Sequence, residues 1–330
     1  MNILWPFTFF SFFSINAVAQ SFEVDQIQQL YRPRLKLETK HVFDSGIQDT
    51  TGLFNQTDAN VAFTFPLKTK ISADLKLDLS SLKVKDILQN SIRLKASQTM
   101  GLLKVGGRQS YFGFDSIPEK QFMNVTAGFL GVRLTRKYRV LFWSAAVNLS
   151  EETRVISSTI PRASAIIGQM HVRGLRKNFF YGLMLAYSDG LFLPAPFFGG
   201  SEPIGEKFIF NYTLPVQMNL QYKASQQMRL AIGVSAEGYR TGIQFHGKRL
   251  NMNYTSGNLY GNMRLKFSKT FLLKAEAGYV IYQALRYDQF AQYKNVYRLS
   301  PGPYGQIGIQ VLFGKSIWEK VSEGFLQNIN

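Results

Sequence analysis

Residues 68–80 read KTKISADLKLDLS. Ile71, Ala73, Leu75, Leu77 and Leu79 fall on one side of an extended chain, and Lys70, Ser72, Asp74, Lys76 and Asp78 on the other. Side chains alternate across a strand, whereas a helix would scatter these residues around its circumference. Residues 91–100 repeat the pattern, with Ile92, Leu94 and Ala96 opposed to Arg93, Lys95 and Ser97. In residues 259–268, Leu259, Gly261, Met263, Leu265 and Phe267 face away from Tyr260, Asn262, Arg264, Lys266 and Ser268. The longest run, 208–222, sets Phe208, Phe210, Tyr212, Leu214, Val216, Met218, Leu220 and Tyr222 against Asn211, Thr213, Gln217, Asn219 and Gln221. A period of two held this long identifies strands.

A soluble β-sandwich alternates equally well, so length and connections must decide. Many of these runs reach the roughly 9–11 residues with which a tilted strand crosses a bilayer, beyond the 5–6 usual in globular sheets. Short links fall at 68–69, 99–100, 135–137, 176–177, 225–226 and 268–270. Long ones fall at 44–58, 80–89, 111–121, 150–161, 189–205, 240–249 and 284–302. Short turns at one end and long loops at the other are the order of outer-membrane barrels. The reading is all-β: a transmembrane antiparallel up-and-down β-barrel over residues 34–313, with both termini in the periplasm. It has about 14 strands, or about 12 if the weakly patterned 102–110 and 122–134 do not form them. Trp143, Tyr187, Tyr222, Phe267, Tyr282, Tyr304 and Phe313 stand near strand ends, where barrels carry aromatic girdles.

Residues 1–20 hold an apolar run followed by Ala17 and Ala19, the small-residue pattern of a cleavable export signal, although no Lys or Arg precedes the run. The run is shorter than the roughly 20 residues of a helical span. A short segment, 21–33, leads into the barrel, and a tail, 314–330, follows it. Ile317, Trp318, Val321 and Phe325 give the tail the spacing of a short amphipathic helix on the periplasmic surface. The chain has no cysteine, so no disulfide staples the fold. Its 38 basic and 21 acidic residues leave a formal charge of +17, all of it outside the signal segment. An exported barrel seldom meets nucleic acid. The partners this charge points to are outer-membrane lipid, lipopolysaccharide phosphates and small anionic solutes.

The segments YGLMLAYSD at 181–189, LPAPFFGG at 193–200, and 208–222 with Leu214-Pro215 inside it are similar to a family of Gram-negative outer-membrane β-barrel proteins catalogued only as a domain of unknown function. The resemblance is loose over most of the mature chain and best in this central part. It implies a single-chain barrel in the outer membrane and brings no catalytic or binding residues.

Nothing in the chain is spaced as a nucleophile with its base. His41 has Asp44, Ser45 and Asp49 nearby in sequence, His246 falls in a loop and His171 near a strand end, so a lipid-modifying enzyme is the least favoured reading. Neither metal-ligand spacing nor a phosphate-binding loop occurs, and no cofactor is expected. Gly106-Gly107 reads as a bend or a close backbone approach within a strand. What remains is the polar face of the strands. If the apolar faces meet lipid, Arg34, Lys36, Lys40, Lys76, Arg93, Lys95, Arg264, Lys266 and Lys274 point inward against Glu38, Asp74, Asp78, Glu237 and Glu276. The apolar, proline-rich stretch 191–205 reads as an outer loop, either a rigid turn that extends two strands above the membrane or, less favoured, a binding or gating element. The leading expectation is a passive channel or small-solute transporter with a basic, anion-favouring lumen. The alternative is a structural or surface-interaction barrel contacting lipopolysaccharide or a partner.

Overall fold

The computed structural model describes residues 32–48, 51–75, 92–115, 117–135, 139–173, 176–188, 191–245, 248–289 and 292–314. The export signal, residues 21–31, Lys76, His246 and the tail from 315 lie outside them.

One sheet contains every strand. In chain order these are β1 (Arg34–Gly46), β2 (Leu53–Leu75), β3 (Ile92–Phe112), β4 (Glu119–Thr135), β5 (Arg139–Glu152), β6 (Arg162–Val172), β7 (Asn178–Ser188), β8 (Leu191–Ile204), β9 (Phe208–Leu214), β10 (Gln217–Lys223), β11 (Met228–Phe245), β12 (Lys248–Lys266), β13 (Phe271–Gln289), β14 (Gln292–Leu299) and β15 (Gly302–Leu312). Each strand from β1 to β13 pairs antiparallel with the next. On its other side β13 pairs with β14 from Gln283 to Gln289 and with β15 from Phe271 to Val280. β15 pairs in turn with β1, which closes the ring. Because β14 and β15 share one place in the wall, the barrel has 14 strand positions. Arg34 stands opposite Leu312 and Thr64 at one end, the end that carries the termini. We call it the terminal end and the opposite one the far end.

The two faces of the wall invert the usual solvent order. Ile232 is 65% exposed on the outside, and Leu37, Val61, Val105, Phe129, Ile167, Leu259 and Ile307 are exposed there too. Inward positions on the same strands hold Gln56, Asp58, Thr64, Arg108, Asn258, Glu276 and Gln310, all buried. Leaving such apolar side chains in water forgoes about 1.5–3 kcal/mol each. A sandwich would bury them, whereas a membrane barrel turns them to lipid. Tyr187, Phe267 and Phe313 are exposed near strand ends as a girdle requires, but Tyr304 faces inward and donates a 2.9 Å hydrogen bond to Glu276.

The strand map departs from the sequence reading in two places that cancel in the count. Residues 68–69 and 99–100 are not turns: β2 and β3 pair without interruption from Phe54↔Phe112 to Leu75↔Ile92. The chain slips by a bulge between Pro66 and Lys68, since Lys-Thr lacks the Gly or Asn a two-residue turn needs. The connection 76–91 therefore leaves from the terminal end, not the far end. Conversely, 208–222 is not one strand but the hairpin β9–β10. Pro215 cannot donate to a ladder, and Val216 N–H closes a turn on Thr213 O at 2.7 Å. The stretch 191–205 is likewise the strand β8 and not a loop. The weakly patterned 102–110 and 122–134 lie inside β3 and β4, and much of the links 240–249 and 284–302 is strand.

β9 and β10 are only 7 residues each, so the wall is incomplete above them. At the far end β11 passes beside β5 in the barrel's one parallel contact among the described residues, Gly242↔Glu151. The far end is thus ringed by β1 to β5 and β11 to β14, with Ser300 N–H bonded to Gly46 O at 2.7 Å where β14 meets β1. Glu151 fastens the seam: Arg249 Nη2 lies 3.1 Å and Arg162 Nη1 3.4 Å from its carboxylate. A Cβ at Gly242 would fall 1.6 Å from Glu151 Oε2, so a larger residue there must displace that carboxylate from the seam.

Candidate functional site: the barrel interior

The register stacks inward residues in rows across β12, β13, β15, β1, β2 and β3. One row reads Asn262, Glu276, Gln306, Lys40, Asp58, Arg108, and the next toward the terminal end Arg264, Lys274, Gly308, Glu38, Asn60, Gly106. The third reads Lys266, Leu272, Gln310, Lys36, Ala62, Lys104. Gly106 is the close approach its sequence implied, because a Cβ there would sit 2.1 Å from Asn60 Oδ1.

Along the middle of the barrel, β11 lies against the opposite wall. Lys40 of β1 pairs with Glu237 at 2.5 Å. Tyr239 donates to Gln56 of β2 at 2.5 Å, and the Arg108 guanidinium of β3 lies 3.2 Å from the Tyr239 ring centre. Lys120 of β4 donates to Gln244 O at 2.9 Å and pairs with Asp115 at 2.9 Å. Arg108 is also bound to Asp58 at 2.5 Å, with side chains only 6% and 12% exposed. These contacts span strands far apart in the ring, so the interior is bridged here.

Beyond the bridge the interior turns apolar. Phe54, Phe112, Phe122, Ile243, Leu250, Met252, Tyr254, Leu285 and Tyr287 form one buried cluster, drawn from facing walls. Phe54 stacks on Tyr254 with ring centres 5.8 Å apart, and Tyr254 on Tyr239 at 5.1 Å. A second apolar cluster, with Phe142, Ile166, Phe180, Met184 and Phe197, lines the inner face of β5 to β8. Toward the terminal end the interior is polar on the side of β12, β13, β15, β1 and β2, and apolar on the side of β4 to β7, where Val132, Val140, Met170 and Phe180 of the second cluster stand beside the terminal links. Gln98, Asn258 and Gln310 face inward, buried, with side-chain oxygens that no protein donor reaches. Such groups are satisfied by water.

The terminal mouth carries a run of cations. Lys223 of β10, Arg229 of β11, Arg264 of β12 and Lys274 of β13 are successive register partners, so four cations line one arc of the inner face. Like charges directly opposite on neighbouring strands destabilise a sheet by about 0.2–1 kcal/mol a pair. Lys274 Nζ lies 3.0 Å from the Glu276 carboxylate of its own strand.

Of the residues singled out from sequence, Arg264 and Lys274 come together in this arc, with Lys266 one row nearer the rim and exposed. Lys36 faces inward but is bound to Glu38 at 2.5 Å. Arg93 and Lys95 pair with Asp74 and Ser72 in the limb of β2–β3 that runs past the last contact with β4, Ser97↔Arg133. Lys76 lies outside the described residues. Sequence reasoning missed Lys223, Arg229, Arg108, Tyr239 and the Glu151 seam. The pairing of Lys223 with Arg229 could have been found by folding 217–235 as a hairpin about Ser225. His41 accepts or shares a 2.8 Å hydrogen bond with Thr57, and His171 stacks on Tyr181. Among the described residues no group of three or more His, Asp or Glu could hold a metal ion.

A family profile described as "Domain of unknown function (DUF6268)" matches residues 116–312, more than half of the chain. The chain belongs to the DUF6268 family. This agrees with the resemblance read from the central segments. No curated protein sequence matches it. Among solved structures, the COG4313 outer membrane channel from Pseudomonas putida F1 is similar at 9% identity over 86% of this chain and 96% of that one, with a TM-score of 0.45. The TodX monoaromatic hydrocarbon channel is similar at 10% identity over 86% and 90%, with a TM-score of 0.35. The translocator domain of the autotransporter NalP from Neisseria meningitidis gives 8%, 89%, 96% and 0.32. At these scores the DUF6268 chain must be read from its own geometry.

Proposed function

We propose that this protein is a passive outer-membrane channel or small-solute transporter that favours anions and is shut at its far end in the conformation described. The reading is carried by the arc Lys223, Arg229, Arg264 and Lys274. Four fixed cations at a mouth that leads to polar, hydrated walls concentrate anions there. The bridge through Lys40, Glu237, Arg108 and Tyr239 and the aromatic layer beyond it form the closure. Both are made of wall side chains, which move on rotamer changes. Lipid contacts the outer face, and the termini face the periplasm.

Planar-bilayer recordings test the reading. A variant with Phe54→Ala, Phe112→Ala and Tyr254→Ala should conduct several-fold more than the native barrel, with an anion-favouring reversal potential. Adding Arg229→Glu and Arg264→Glu should move that potential toward cations, more at low salt, since each charge is screened within about 8 Å at physiological ionic strength. Cation preference before the Glu changes defeats the basic mouth. No current even from the truncated variant favours the structural barrel, for which the bridged, dry far half is the supporting observation. Orientation is tested with cysteines on intact cells: Ser157→Cys should react with an impermeant thiol reagent and Ser225→Cys should not.

A further inference from the structure

On its outward side the terminal rim is of two kinds. From β9 round to β15 the outward positions hold Phe208, Tyr222, Met228, Phe267, Phe271 and Phe313, the girdle a barrel presents at a membrane boundary. From β2 to β6 they hold cations instead. Lys70, Ser97 and Arg133 are successive register partners on β2, β3 and β4, with Lys68 two residues farther in on β2. Arg139 of β5 stands opposite Thr135, two residues nearer the rim than Arg133. Arg173 stands two residues beyond His171, the β6 partner of Arg139. The alternate positions Val132, Val140 and Met170 belong to the apolar cluster inside.

These steps run around the barrel and not down it. Because strands tilt, a row of register partners climbs toward the far end as strand number rises; β8 runs on three residues past Ser201, the partner of Asn178, to end at Ile204. A drop of two residues at each strand from β4 to β6 offsets that climb, so Arg133, Arg139 and Arg173 lie near one level of the membrane. All five cations are exposed, and among the described residues none of them is in an ion pair. Glu202, the acidic residue at the β8 side of the sector, is held by Lys177 at 2.8 Å. Toward mid-membrane the same sector turns apolar. The Trp143 ring lies over Gly131, where a Cβ would fall 2.3 Å from Cζ2. Ile167, the partner of Trp143, and Leu183 beyond it are exposed. Tyr181, stacked on His171 with ring centres 5.8 Å apart, stands between the two zones.

We propose that Lys68, Lys70, Arg133, Arg139 and Arg173 form a binding site for an anionic phospholipid, whose headgroup phosphate the guanidiniums hold while its acyl chains lie along Trp143 and Ile167. Arginine forks match phosphate oxygens bidentately. Neighbouring strands lie about 4.8 Å apart, so side chains on adjacent strands can share one headgroup. Cations without acidic partners at a membrane surface draw anionic lipid to them. The choice of phospholipid over lipopolysaccharide rests on the orientation proposed above, with the terminal end toward the periplasm. The site itself depends on neither that orientation nor the lumen.

Trp143 reports on the site directly. In the full chain with Trp5→Phe and Trp318→Phe it is the single tryptophan, and the barrel is reconstituted in phosphatidylcholine with a minor fraction of phosphatidylglycerol brominated along its acyl chains. That lipid should quench Trp143 as strongly as about three times as much brominated phosphatidylcholine. Arg133→Gln, Arg139→Gln and Arg173→Gln together should bring the ratio to about one. With Trp143→Phe and Phe271→Trp, the tryptophan sits in the aromatic part of the rim and the ratio should also be about one. A ratio near one at Trp143, or no change in the triple variant, overturns the site. Equal preference at Phe271→Trp overturns it too, because the net charge of +17 would then be the cause. Inorganic phosphate should lower the ratio no more than sodium chloride of the same ionic strength; a loss specific to phosphate means that the cations hold the free ion and no lipid. If the triple variant loses the heat-modifiable gel mobility of a folded barrel, the comparison of Trp143 with Phe271→Trp decides alone. Neither orientation nor conductance enters this measurement, so its failure is distinct from failure of the channel reading.

Discussion

The two halves of this barrel are built from the same strands with the same alternation, yet along β2 and β12 their inner faces have opposite character. Along β2 the inward side chains pass from Thr64 and Asn60 near the terminal end to Phe54 at the far end, and along β12 from Lys266 and Arg264 to Tyr254 and Met252. Alternation decides which side chains point inward. What the interior becomes depends on which strands face one another, and that is set by the short hairpin β9–β10 and the inward path of β11.

If the far half is a packed core and the terminal rim is not, truncations should cost far more in the first. Phe112→Ala removes a fully buried ring and should destabilise the barrel by about 3–5 kcal/mol, read as a lower temperature for the loss of heat-modifiable mobility. An effect below about 1 kcal/mol would mean that the aromatic layer is loose. Next comes the bridge. Asp58→Asn strands the Arg108 guanidinium and should cost about 3–5 kcal/mol, most of it recovered when Arg108→Met is added, because removing both partners of a buried pair is often near neutral. A double variant no better than the single would place the damage elsewhere. At the seam, Gly242→Ala drives a Cβ into Glu151 and should cost about 1–3 kcal/mol, and its added cost should shrink in a Glu151→Ala background, where that carboxylate is gone. The smallest effect belongs to the terminal rim: Glu202→Gln removes an exposed ion pair with Lys177 and should change stability by less than about 1 kcal/mol.

The same contrast governs what could be read from sequence. The dyad pattern of residues 259–268 gave β12 and both of its faces correctly, since lipid on one side and polar groups on the other leave a clean alternation. Pro194 and Pro196 were legible as breakers, but their effect depends on whether a strand edge is free, which no local pattern records. The 208–222 run kept its period through Pro215 because two antiparallel limbs joined by a tight turn can preserve parity. Within the site, Arg264 and Lys274 could be read as inward-facing. Their neighbours Lys223 and Arg229 were missed although the short link at 225–226 makes 217–235 a hairpin that sets them opposite one another. The bridging by β11 was invisible, because Lys40 and Glu237 are separated by most of the chain and by several strands of the ring.

The parallel seam at Gly242 and Glu151 has a consequence for how this fold can vary. At the far end the ring is complete without β6 to β10, so everything between those two residues is a detour that leaves the smaller ring and returns to it. Lengthening or shortening a detour alters loop closure only weakly, because the entropy of closing a loop grows slowly with its length. Relatives of this chain can therefore gain or lose hairpins there, changing the width of the terminal mouth in steps of two strands while Glu151, Arg249 and Gly242 keep the far ring shut.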